Sequence, residues 1–91
     1  MGREVGGVAR APNQIDRERL RELGAGIHRL RAAGEMTLED LAPSAGLSVT
    51  YLGQIERGQR NPSVLVLWRI ADALGVRLDQ LAATGPRPPS G

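Results

Sequence analysis

Thr37–Arg60, TLEDLAPSAGLSVTYLGQIERGQR, is the stretch whose reading decides the fold. Thr37 is a good N-cap, its hydroxyl able to accept the amide of Asp40, while the Asp40 carboxylate reaches back as in a capping box. Leu38, Leu41 and Ala42 then fall on one side of a short helix. Gly46 stops it, because a residue without Cβ tolerates the positive φ of a tight exit. Ser48 starts a second helix, in which Leu52 and Ile55 share a face while Val49, Thr50, Gly53, Gln54 and Arg57 point elsewhere. Gly58 is placed to end it. Pro43 lies inside the first of these helices and has no amide for the carbonyl of Glu39, which costs about 3 kcal/mol in an ordinary interior. Since that helix closes two or three residues later, a kink or an early, tightened end is expected.

Upstream, Asn13 is an N-cap candidate with Asp16 in the favourable first turn. Ile15, Leu20, Leu23, Ile27 and Leu30 form a helical stripe facing a core, and the helix ends at Ala33–Gly34. Gly24 and Gly26 weaken that helix by roughly 1 kcal/mol each, so a packing reason or local looseness is implied. Downstream, Ser63 caps a helix whose buried stripe is Val64, Leu67, Ile70/Ala71 and Leu74, ended by Gly75. Leu65, Val66 and Trp68 are apolar beyond that stripe and form a candidate dimer or partner surface, with burial in the core the favoured alternative for Trp68. Arg77 to Ala82 reads as a short fifth helix placing Leu78 and Leu81 on the core. The domain reading is thus a flexible, Gly-rich N-terminal arm over 1–12, one folded domain over 13–82, and a flexible Pro/Gly-rich tail over 83–91. Arg3 and Arg10 in the arm are secondary candidates for phosphate or minor-groove contact, with a solvated tail preferred.

Ninety-one residues suffice for one small core. With no Cys and one His, neither a disulfide framework nor a metal cluster is expected, which suits a reducing cytoplasm. His28 therefore reads as a surface residue, not a ligand. No apolar run reaches a membrane span and the N-terminus lacks a signal-peptide core. No cofactor is expected, and with no paired nucleophile and base and no Gly-rich phosphate loop, an enzyme is not expected either. All twelve basic side chains are Arg, which suits forked phosphate and guanine contacts but is ascribed mainly to GC-rich coding. The net charge of +2 is by itself a weak argument for nucleic acid.

Two short helices around a glycine turn are the helix-turn-helix signature, in which the second helix lies in the major groove. From Leu20 to Leu81 the sequence resembles the Cro/repressor type of helix-turn-helix domain, the XRE family. The matching positions include Ile27, Leu30–Arg31, Thr37, Glu39, Leu41–Ala42, Gly46–Ser48, Tyr51–Leu52, Ile55–Glu56, Gly58, Arg60, Pro62–Ser63, Ile70–Ala71, Ala73–Val76, Leu78–Asp79 and Leu81. The resemblance implies an all-α, compact five-helix bundle of the lambda-repressor-like type. It places base reading on Val49, Thr50 and Gln54, and a structural ion pair on Arg31 and Glu56. Gln54 suits adenine N6 and N7, Thr50 offers a hydroxyl or a methyl, and Val49 only methyls. Phosphate contacts are expected from Thr37, Ser48 and Tyr51, and from Arg57, Gln59, Arg60 and Asn61 in the loop beyond the reading helix. Leu38 departs from the family, which most often has Gln there, so one polar contact is missing. Gly53 either lets the backbone approach DNA or thins the helix.

The expected function is a sequence-specific DNA-binding transcriptional regulator, a repressor acting as a homodimer on double-stranded DNA. The alternative is a protein-interaction module or antitoxin that keeps the fold and binds a protein partner through Leu38, Val49, Leu65 and Trp68.

Overall fold

The computed structural model describes residues 13–82, which contain five helices and no strand. The segments 1–12 and 83–91, expected as flexible arm and tail, lie outside the described residues, as do Arg3 and Arg10. The helices are α1 (Gln14–Ala33), α2 (Leu38–Ser44), α3 (Val49–Glu56), α4 (Val64–Leu74) and α5 (Leu78–Leu81). Ile27 of α1, Leu41 and Ala42 of α2, Leu52 and Ile55 of α3, Ile70 and Ala71 of α4 and Leu81 of α5 form one buried core. The expected all-α bundle is the fold observed.

Side-chain caps start the first four helices. Asn13 and Thr37 each build a reciprocal capping box, with Asp16 and Asp40 as partners, while Ser48 accepts the Tyr51 amide and Ser63 the Val66 amide. The Asp40 carboxylate accepts the Thr37 amide at 2.9 Å, and this backbone hydrogen bond, followed by that of the Thr37 hydroxyl, holds its pKa below the usual carboxylate value. A depressed pKa contributes stability that is fully present above the unfolded value of about 4 and is lost as pH falls through the lower folded one. Asp40→Asn is therefore expected to flatten the acid limb of a Tm-against-pH curve, and an unchanged limb would refute this coupling.

The same four helices end alike, one amide past the helix reaching back five positions and the amide before it three, so that the last carbonyls are satisfied. The pairs are Met36→Arg31 with Glu35→Ala32, Leu47→Ala42 with Gly46→Pro43, Gln59→Gln54 with Gly58→Ile55, and Val76→Ala71 with Gly75→Asp72. A left-handed residue makes each exit possible: Gly46, Gly58 and Gly75 at φ near 70°, and at the end of α1 Glu35 at φ 58°. Pro43 does not break α2. It sits in the last turn, one residue before the helix stops at Ser44, and the helix tightens there through Ala45 to Ala42 as expected.

Four positions depart from expectation. Ile15 is 64% exposed, because a gap of five from Leu20 swings it about 100° from the centre of the stripe that Leu20, Leu23, Ile27 and Leu30 define. On α4, Val64 is 58% and Trp68 52% exposed, so neither belongs to the core. At 3.6 residues per turn these two share the outward side with Leu65, opposite Ile70, while Val66 falls on the buried side. Val66 is accordingly half-buried against the core. The outward apolar set is Val64, Leu65 and Trp68.

Candidate nucleic-acid interface

The C-terminal half of α3 is pinned to α1 by three contacts. Gly24 lets the two backbones meet: a Cβ there would run into the carbonyl oxygens of Ile55 and Glu56. One turn earlier on α1, the Arg21 backbone passes Gly58 so closely that a Cβ on Gly58 would lie 2.8 Å from the Arg21 Cα. Two turns beyond Gly24 along α1, Arg31 donates a two-pronged hydrogen bond to Glu56, Nε to Oε2 at 2.7 Å and Nη2 to Oε1 at 2.9 Å. These side chains are only 12% and 7% exposed, and Arg31 also donates to the Met36 carbonyl at 2.8 Å. The hydrogen bond from Glu56, ahead of the cost of burial, raises the Arg31 pKa further. Arg31 and Glu56 thus form the pair the resemblance implied. His28 joins them, its Nδ1 3.1 Å from Glu56 Oε1 and 3.0 Å from Arg31 Nη2; one ring nitrogen can donate to the first or accept from the second.

With its C-terminal end held, α3 exposes the first two residues of its N-terminal turn. Val49 and Thr50 are exposed and Gln54 is half-buried. Ser48 and Thr37 are exposed at the starts of α3 and α2; each hydroxyl oxygen accepts a cap hydrogen bond, and that of Ser48 also carries a proton it can donate. The loop beyond α3 presents Arg57, Gln59, Arg60 and Asn61, all exposed. Two internal contacts order it: Arg57 Nε faces Gln59 Oε1 at 3.4 Å, and Arg60 Nε donates to Gln54 Oε1 at 3.0 Å. The Arg60 guanidinium also stands 6.0 Å from the Tyr51 ring centroid. Tyr51 itself is half-buried and packed against the core.

Gly53 is enclosed by side chains of its own chain. It is buried, with Leu38 Cδ1 3.8 Å and Arg57 Nη1 3.2 Å from where a Cβ would stand. Leu38, half-buried, packs over it. The family departure at Leu38 is thus a packing partner for Gly53, and a polar residue there would lose that contact. The closeness at Gly24 and Gly58 was not predicted as such; the unexplained helix-weakening glycine at 24 was its only trace in the sequence. Among the described residues no group of three His, Cys, Asp or Glu side chains is placed to hold a metal, and no helix is long and apolar enough to cross a membrane.

The helix-turn-helix profile HTH_3 matches residues 27–81, more than half of the chain. The chain belongs to the Cro/repressor type of helix-turn-helix family. Among family members, the HTH-type transcriptional regulator y4dJ of Sinorhizobium fredii is 38% identical over 69 residues, spanning 76% of this chain and 90% of that protein. The immunity repressor protein of Bacillus phage phi105 is 37% identical over 59 residues, 65% of this chain and 41% of its own length. In three dimensions the helix-turn-helix fold superposes on the restriction-modification controller protein C.AhdI from Aeromonas hydrophila with a TM-score of 0.67 and 37% identity, covering 68% of this chain and 94% of that one. The family is one of DNA-binding transcriptional regulators, and this chain is similar to its members through the segment that contains α2 and α3.

Proposed function

We propose that the protein is a sequence-specific transcriptional repressor that binds duplex DNA as a homodimer, with α3 in the major groove. The observation that carries this reading is the polarity of α3: one end is locked to α1 while Val49 and Thr50 are exposed and Gln54 half-exposed, next to a loop bearing Arg57 and Arg60. Thr37, Ser48, Tyr51, Gln59 and Asn61 supply the remaining phosphate contacts. The exposed Val64, Leu65 and Trp68 on α4 offer the surface through which two copies meet.

Selection from a random duplex pool tests these elements together. The expected product is a palindrome whose half-sites lie about 34 Å apart, one helical turn. Affinity for it falls steeply as salt rises, because each neutralised phosphate releases counterions. Single half-sites would remove the dimer, and a salt-independent affinity would remove the DNA reading. Placing the selected site in a promoter tests repression: expression that does not rise on deleting the protein refutes that role.

A second reading is a protein-interaction module or antitoxin. The exposed apolar face of α4 favours it. It requires a protein partner whose affinity is unchanged when Thr50 and Gln54 are both replaced by Ala.

A further inference from the structure

We propose that Arg60 is a positioning residue that determines which base Gln54 reads, and not only a phosphate contact. The proposal rests on the major-groove reading above. Its basis is the Arg60 Nε to Gln54 Oε1 hydrogen bond of 3.0 Å. Arginine has no acceptor, so the amide atom facing it must be the oxygen. A free glutamine amide turns over at little cost and presents either edge. Gln54 cannot do so while Arg60 holds its oxygen, and its NH2 group is left facing away from the guanidinium.

Arg60 is itself held. Its guanidinium stands 6.0 Å from the centroid of the Tyr51 ring, within the range of a cation–π contact, and that ring packs against the buried core. The orientation of the reading amide is therefore passed from the core through Tyr51 and Arg60 to Gln54, whose oxygen keeps one lone pair for a base. A glutamine reads adenine by accepting from N6 and donating to N7, an order of acceptor and donor that only one amide orientation provides. Without Arg60 both orientations are open, and discrimination at that base pair weakens. A phosphate contact alone, the role the sequence suggests for Arg60, would weaken all sequences alike on its removal.

The test is selection from a random duplex pool followed by affinity measurement on the selected site and its single-base variants, using the full chain as wild type, Arg60→Ala, Gln54→Ala and the double variant. Arg60 is exposed, so the fold is not at stake. The expected result is that Arg60→Ala reduces base discrimination at one position of each half-site by about fivefold or more. Gln54→Ala acts at the same position, and the double variant discriminates no worse than Gln54→Ala alone. Equal weakening on every sequence, with the base profile of the wild type intact, overturns the assignment and leaves Arg60 a phosphate contact. A wild-type chain that enriches no sequence overturns the major-groove reading and this assignment with it.

Discussion

Gly24→Ala is expected to destabilise the domain by about 3 kcal/mol, the upper part of the range for overpacking, or a Tm loss on the order of 12–24 °C for a domain of this size. The added methyl meets the carbonyl oxygens of Ile55 and Glu56. These are backbone atoms at the end of α3 and cannot step aside as a side-chain tip can. Relief requires α1 and α3 to separate, and the Arg31–Glu56 pair spans that same junction. The internal control is Gly53→Ala. It too replaces a buried helical glycine, but the nearest atom to its Cβ is the movable end of Arg57, at 3.2 Å. Helix propensity then dominates, and a gain of up to about 1 kcal/mol is expected. Thermal denaturation of both variants decides the matter: equal and small effects would show that α1 and α3 do not approach closely at Gly24.

Arg31→Ala is the second large effect, about 3–5 kcal/mol, because it strands the Glu56 carboxylate where only 7% of its side chain reaches solvent. Lost attraction is the smaller part of that cost; the uncompensated buried charge is the larger. The double replacement Arg31→Met with Glu56→Leu is therefore expected to be closer to wild type than Arg31→Ala alone. Chemical denaturation of the two variants provides the comparison, and a double variant as unstable as the single would contradict the desolvation account. His28, also against Glu56, is 58% exposed, and its removal should cost far less.

The helix boundaries were legible because they depend on local chemistry. Thr37 with Asp40, Asn13 with Asp16, Ser48 and Ser63 satisfy amides within three residues, and Gly46, Gly58 and Gly75 take a left-handed φ on their own account. The α4 surface was legible only in part. Phase along the helix separates Trp68 from Ile70, yet the residue type of Trp argues for burial, and the phase is the better guide because exposure depends on the side of the helix that meets its neighbours. Val66 errs the other way, being read as outward and found against the core.

The sequence by itself determined five helices, the side-chain caps of the first four and the α2–turn–α3 motif, since these rest on contacts between residues no more than five positions apart. Only the tertiary structure decided that Gly24 and Gly58 are points of backbone contact, that Leu38 covers Gly53, and that His28 meets Glu56. It also decided that Arg60 grips the reading amide of Gln54 across six positions, around the turn that ends α3. The reason is geometric: a glycine or an arginine records that something lies close, and which atoms those are is set by where separate helices cross.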